Sequence, residues 1–392
     1  MKKIKLGDAC EILNGFAFKS ENYVGSGIRV IRISNVQKGY IEDNTPAFYP
    51  LETKGLEKYM LEEGDLLISL TGNVGRVAIL EKEFMPAALN QRVACLRLKT
   101  DKLSKRYLFH ILNSDFFEKQ CIQYSKGVAQ KNMSTAWLKD YEILLYSKEQ
   151  QELIADILDK MHLIKKLRYY ELHKLDELVK ARFVEMFGTV YDKKFDMKTL
   201  PDIVSSDKNS IKRGPFGGAL KKDDFLTEGY LVYEQRHAIH EDFEYAKYYI
   251  SKEKYESMIG FKVIPGDLII SCSGVTLGRI AEVPNGAKEG IINQALLKIS
   301  LNKDMMNNKF FIHQFRCKEI QEMLFGFSRG SGIPNMPSMN EVKTFKFICP
   351  PLELQNQFAS FVQEVDKSRS RIQKSLEASQ ELFDSLMQEY FG

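Results

Sequence analysis

Long apolar runs are missing from this sequence. No stretch approaches the roughly 18–20 apolar residues that a membrane span needs. Cysteine is sparse: Cys10, Cys95, Cys121, Cys272, Cys317 and Cys349 never form a C-x-x-C pair. That spacing excludes a zinc ribbon and a thioredoxin-type redox motif. Six thiols over 392 residues fit a reducing compartment better than a disulfide scaffold. Asp8 and Glu11 interrupt the basic start, MKKIKLGDACEILNG, so it does not read as a signal peptide. The expectation is a soluble, cytoplasmic protein. Charge of one sign is also lacking. A net +4 permits nucleic-acid binding only if basic side chains gather on one face.

Catalytic signatures are missing as well. Cys349-Pro350-Pro351-Leu352 has the wrong first and last residues for the [DN]-P-P-[FYW] motif of an amino-methyltransferase. No G-x-x-x-x-G-K-[ST] phosphate loop occurs. Pro201-Asp202 could open a nuclease-like PD…E-x-K set, but its only suggestive partner, Glu341 with Lys343, stands far along the chain. His237 and His240 have no Cys or further close His and read as a surface or internally satisfied pair; no metal is expected. Asp65 and Asp267 each follow a Gly before an apolar run, where turn capping explains an Asp better than catalysis does.

What is present is a repeat. GDLLISLTGNVGR begins at Gly64, and GDLIISCSGVTLGR begins at Gly266. Asn90-Gln91 returns as Asn293-Gln294, Gln151 as Gln355, and Phe187-Gly188 as Phe391-Gly392. The segment from Lys126 to Met133 returns in outline from Arg329 to Met336. The match is weaker upstream, where NGFAFKS at Asn14 faces GPFGGALK at Gly214. A period of about 200 residues is far above solenoid or propeller values, so a whole domain with its connector is duplicated. The offset between copies drifts slightly, as small loop insertions would cause.

Each copy has two textures. In the first, LLISL, VAILE, ACLRL, LIISC and LLKISL read as strands separated by Gly turns. SKRYLFHILNSDFFEKQC and NKFFIHQFRCKEIQEMLF read as amphipathic helices. Each globular part is therefore α+β with a mostly β core. In the second, Glu149 to Phe187 holds no Pro or Gly. Ile154, Ile157, Met161, Ile164 and their successors recur at steps of three and four, the pattern of one long helix. Ser147 and Gln150 form a capping box at its start, and Gly188 ends it. The second copy starts after Pro350-Pro351, with Phe358, Phe361, Val365 and Ile372 on its face. About 38 residues make a helix of about 57 Å. Such an apolar stripe needs cover, and the matching helix is the obvious partner in a coiled coil. The simpler alternative is that each helix completes the core of its own domain. The division predicted is 1–147, 148–188, 189–350 and 351–392.

The order of these parts resembles the specificity (S) subunit of type I restriction-modification systems. The resemblance covers essentially the whole chain. It rests on G-D-[LI]-[LI]-I-S-x-[TS]-G, on the Asn-Gln pair, on G-x-x-Q-x-N at Gly127, Gln130 and Asn132, and on [PS]-x-x-x-Q at each long helix. The second copy departs at Ile333, where the Gln would stand, and the first lacks the usual two prolines before its helix. The resemblance implies two tandem target-recognition domains, each reading one half of a split double-stranded DNA site. It implies long helices paired antiparallel as a spacer. It implies docking of two methyltransferase subunits that methylate adenine with S-adenosylmethionine, and of restriction subunits that use ATP with Mg. No cofactor is expected on this chain, and no catalysis.

Two similar domains on a rigid spacer can face one side of a duplex about one turn, roughly 34 Å, apart. Because the copies differ between their landmarks, the half-sites should differ. Candidate DNA contacts lie in loops that mix Gly with basic and polar residues. In the first copy they are Lys19, Arg32, Asn35, Thr71, Asn73, Arg76, Arg92, Lys126 and Lys131. In the second they are Lys212, Arg213, Lys221, Gln235, Arg236, Ser273, Thr276, Arg279, Arg329 and Ser331. Taken singly, each also reads as an ordinary solvated residue; the set carries the expectation. Phe16, Phe18, Phe216 and Phe225 read as core rather than as base-stacking rings. The alternative function is a stand-alone coiled-coil DNA-binding or scaffold protein without methyltransferase partners. An orphaned recognition half of a fused endonuclease-methyltransferase is the third reading.

Overall fold

The computed structural model describes all residues except 1, 126–130, 190–191, 193, 217, 327–333 and 392. The chain divides into two compact units: Met1–Tyr170 with Gln373–Gly392, and Glu171–Ile372.

In the first unit, β1 (Lys2–Lys5) leads through α1 (Leu6–Ala9) to β2 (Cys10–Asn14), β3 (Ile28–Ile31), β4 (Phe48–Tyr49), β5 (Leu66–Ser69), β6 (Val77–Ile79), β7 (Ala87–Leu89) and β8 (Val93–Leu98). Then come α2 (Lys105–Leu112), α3 (Asp115–Gln123), α4 (Thr135–Asp140), β9 (Glu142–Leu145) and the long α5 (Lys148–Phe187). An antiparallel sheet in the order β2-β8-β5-β6 lies against a smaller one, β4-β3-β7, in which β3 and β7 run parallel. β1 and β9 make a ribbon of their own.

The larger sheet is covered on both sides. Leu66, Ile68 and Leu96 pack with Tyr107, Leu108 and Phe117 of the helices. Leu67, Ala78 and Cys95 pack with Ile31 and Leu89 of the small sheet. That is why β5 is buried along its whole length and reads as a continuous apolar run.

The second unit repeats this plan. It holds β10 (Met197–Thr199), α6 (Leu200–Ile203), β11 (Ile211–Arg213), β12 (Tyr230–Tyr233), α7 (Gln235–His240), β13 (Tyr249–Ile250), α8 (Lys252–Ser257), β14 (Lys262–Val263), β15 (Leu268–Ser271), β16 (Ile280–Glu282), β17 (Gly290–Ile292) and β18 (Leu296–Ile299). α9 (Asn308–Arg316), α10 (Lys318–Phe325), α11 (Met339–Thr344), β19 (Lys346–Ile348) and α12 (Leu352–Phe391) follow. The sheets are β11-β18-β15-β16 and β13-β12-β17-β14, with β10-β19 as the ribbon.

Each amphipathic segment expected as one helix is broken in two. α2 stops at Asn113, and the Ser114 hydroxyl caps α3 by accepting from the Phe117 amide at 3.1 Å. The second copy breaks at Cys317 between α9 and α10. The long helices are single elements of 40 residues each. The Ser147–Gln150 capping box forms, and Gly188 takes φ +75° after the last turn of α5.

Within the second unit, the closing part of α5 runs against the opening part of α12. Asp176 meets Arg369 at 2.7 Å, Arg182 lies over the Phe361 ring, and Phe183 and Phe187 meet Phe358. Partner numbers on α12 fall as those on α5 rise, so the pair is antiparallel. In the first unit, Lys165 lies over Phe383, and Phe391 packs on Tyr107. The two uses of the helices are not exclusive. Their paired ends also enter the cores, through Ile154, Leu158, Met387 and Phe391 in one unit and Phe183, Phe358 and Val362 in the other.

Candidate nucleic-acid interface

The repeated GD step is a structural device. The Asp65 carboxylate accepts from the Glu62 amide at 2.8 Å and takes the Arg97 guanidinium at 2.9 and 2.7 Å. Asp267 accepts from the Ile264 amide at 2.9 Å and from the Ser300 hydroxyl, with Lys298 at 3.7 Å. Both carboxylates are buried and partnered, as turn-capping residues need to be. Asp202 and Glu341 are likewise spent on caps, at Thr199 and Ser338. His237 is fully buried. Its Nδ1 accepts from the Glu234 amide at 2.9 Å, and its Nε2 lies 2.9 Å from the Tyr245 carbonyl.

The other end of each large sheet is different. There β2 ends, β5 ends, β6 begins and β8 begins, and β3 of the small sheet ends beside them. Four connections therefore meet in one place. Asn90 N–H donates to Ile31 at 3.2 Å, Gln91 N–H to Phe16 at 2.9 Å and Leu70 N–H to Arg92 at 2.9 Å. Gly72 N–H donates to Lys131 at 2.9 Å, and Thr71 bridges Asn132. Gly15 is required here, because a Cβ would strike the Asn90 backbone. Gly214 stands in the same relation to Asn293, which explains the one Gly that survives in the weak upstream match.

The buried Ser69 hydroxyl holds the β5–β6 turn. It donates to the Asn73 carbonyl and accepts from the Arg76 amide at 3.0 Å. Ser271 does the same with the Thr276 carbonyl and the Arg279 amide, the latter at 2.9 Å.

This end gathers many of the expected contacts. In the first unit it holds Arg32, Thr71, Asn73, Arg76, Arg92 and Lys131; Arg92 and Asn73 are exposed. Arg76 is partnered by Gln37, and Arg32 by the Thr45 carbonyl. In the second unit it holds Arg213, Gln235, Ser273, Thr276 and Arg279. Gln235 donates to the Ser273 hydroxyl at 2.7 Å, and Arg213 reaches Asn335 at 3.1 Å. Among the described residues, the Thr71 hydroxyl, Arg32 Nε and Arg213 Nε are buried without a hydrogen-bond partner. Buried polar atoms are rarely left so.

Other expected residues lie elsewhere or are committed. Asn35 is buried; its amide serves the Arg32 N–H, the Glu42 carbonyl and Asp43. Lys19 stands by β4, 3.9 Å from Glu21. The Lys221 amide caps against Asp224, and Lys212 lays its ammonium over the Phe261 ring. Arg236 pairs with Asp242 and covers Tyr245. Lys126, Arg329 and Ser331 fall outside the described residues. Phe18 is core, and Phe16 and Phe225 pack against it or its counterpart. Phe216 is not core: it is 65% exposed, with Arg213 over its ring. Gln91 and Gln294, which the sequence marks as members of a repeated Asn-Gln pair and not as contacts, are exposed at this end and belong with the candidates.

A family model described as "Type I restriction modification DNA specificity domain" matches residues 1–174 and again 193–380. The chain belongs to the type I DNA specificity family.

Among curated relatives, the specificity subunit of the type I restriction enzyme MjaVIII of Methanocaldococcus jannaschii is 28% identical over 184 residues, 45% of this chain and 43% of its own. That of EcoAI from Escherichia coli is 30% identical, covering 45% of this chain and 32% of its own. That of EcoBI is 25% identical over 72% of this chain and 53% of its own. The chain thus spans about half, or less, of the curated relatives it matches. Two solved structures share the fold over the whole chain. The type I S subunit from M. genitalium has a TM-score of 0.58 at 15% identity and is 96% covered. A chain from a study of complex assembly in the type I system has 0.61 at 14% and is 97% covered. Specificity subunits of this family are non-catalytic. Among the described residues no helix is long and apolar enough to cross a membrane.

Proposed function

We propose that this chain is a non-catalytic, sequence-specific DNA-recognition subunit of a type I restriction-modification complex. Each unit reads one half of a bipartite, asymmetric site in double-stranded DNA. The long helices act as the spacer, dividing the chain near 147, 188 and 350. Two methyltransferase subunits dock on it and methylate adenine N6 with S-adenosylmethionine; restriction subunits using ATP and Mg are the further partners. Basic side chains at the loop ends take phosphates, and the polar ones take base edges.

One observation carries this reading. The same loop end is built twice on the same backbone clamps, yet tipped with different residues. Asn73 and Lys131 stand in one, and Val275, Thr276 and Arg213 in the other. A duplicated enzyme would keep its reactive groups in both copies. A duplicated reader of two different words keeps the frame and changes the tips.

The test is to express the chain with its partner methyltransferase and map N6-methyladenine in the host genome. A split, asymmetric motif with a fixed gap is expected. No methylated motif, or a short continuous palindrome, sinks the proposal. A four-residue insertion near Lys174, matched in α12, should lengthen the gap and leave both half-sites unchanged.

A further inference from the structure

The β15–β16 turn is one residue longer than its counterpart. In the first unit the Ser69 hydroxyl donates to the carbonyl of the residue directly after Gly72, which is Asn73. In the second, Ser271 donates to Thr276, two residues after Gly274. The strands beyond the turn keep their pairing, Ile68 with Val77 and Ile270 with Ile280. Val275 is therefore the added residue. Its side chain is 99% exposed.

The turn that carries it is held from several sides. Leu277 N–H donates to Gly274 at 3.0 Å, Gly274 N–H to Pro334 at 2.8 Å and Met336 N–H to Cys272 at 2.8 Å. A single exposed apolar residue is ordinary on a protein surface. This one is β-branched, hence stiff at χ1. It stands on a clamped turn, and its neighbours are polar and basic: Ser273 with Gln235, Thr276 and Arg279. It adds nothing to the core and is presented outward among groups that suit a nucleic-acid edge. In the major groove only thymine offers an apolar group, its 5-methyl.

We propose that Val275 is a specificity-determining residue that packs on the 5-methyl group of a thymine in the half-site read by the second unit. The first unit has no equivalent contact, because Asn73 offers an amide from a shorter turn. The assignment rests on the DNA-reading function proposed above.

The experiment uses the full chain with its methyltransferase and a duplex selected from a random library. Each thymine of the selected site is changed singly to deoxyuridine, which removes only the methyl group, and affinity is measured by competition. One such change should weaken binding about fourfold, the effect of one buried methyl-sized group. Val275→Ser should bind the thymine and uracil duplexes equally, keep its preference at the other half-site and keep its thermal midpoint. Deleting Val275 should do the same. The assignment is overturned if no thymine is methyl-sensitive, or if the sensitivity persists in both variants. Failure to select any sequence overturns the DNA-reading function itself, a separate and recognisable outcome.

Discussion

The side-chain oxygen of Gln151 accepts a hydrogen bond from the backbone amide of Ser104 at 2.7 Å. Its amide nitrogen donates to the carbonyls of Lys102 and Tyr146, both at 2.9 Å. Gln355 repeats the arrangement, accepting from the Asn307 amide at 2.8 Å and donating to Met305 at 2.9 Å and Pro350 at 2.7 Å. Both side chains are fully buried. One glutamine thus ties the first turn of each long helix to the start of α2 or α9.

Gln151→Leu keeps the bulk and orphans three backbone groups. The expected loss is about 1–3 kcal/mol or more, since each unsatisfied buried group costs about that much. Urea denaturation of Gln151→Leu and Gln355→Leu measures it. A loss under about 0.5 kcal/mol in both would show that these bonds do not hold the helix starts.

Gly75 and Gly278 close the two β-turns with φ +82° and +80°. A Cβ on Gly75 would stand 2.8 Å from the Cys121 side chain, and one on Gly278 would stand 2.6 Å from the Phe325 ring. Gly39, with φ +94°, faces open space. Gly75→Ala and Gly278→Ala should each lose about 2 kcal/mol or more, and Gly39→Ala only about 1, since strain and overpacking add. Thermal midpoints of the three variants check the ranking.

Arg92 and Arg279 are exposed at the loop ends of their units. Arg92→Ala and Arg279→Ala should weaken DNA binding at all sequences and lower the slope of log K against log salt by about 1 each. A titration series at several salt concentrations reads this. An unchanged slope with lost sequence preference would instead make these residues base readers.

His313 lies edge-on to the Phe358 ring. Burial, then the nearby Arg316, push its imidazole down to about 4; Lys309 and Arg369 add to this, and Asp366 opposes it. In the unfolded chain a histidine titrates near 6.5. Between those values the unfolded state takes up a proton that the folded state refuses. Stability should therefore fall as pH drops from about 6.5 toward about 4, by on the order of 1–3 kcal/mol. His110, also pushed down mainly by burial, acts in the same sense against its bond to Asp159. His313→Leu should flatten the pH dependence of the urea midpoint across this range.

The frame was legible because it is written twice. Repetition alone marks the GD turns, the glutamines and the capped long helices, and hydrophobic spacing sets the length of the helices. The small sheets were not legible. β4, β13 and β14 have two residues each, too few for any period, and the parallel pairing of β3 with β7 depends on contacts far apart in sequence. The breaks at Asn113-Ser114 and Cys317 hide inside good helical spacing. Among the site residues, composition could mark polar loops but not their inward side. Asn35 and Asn73 read alike in sequence, yet one is sealed inside its loop and the other is exposed.

The Ser271 hydroxyl reaches past an additional residue to find its carbonyl. A rotating hydroxyl is indifferent to which carbonyl it meets, so the latch fits turns of unequal length. Strand register below the turn does not record what was added above it. Residues can therefore be added to this tip singly while the strands beneath keep their pairing.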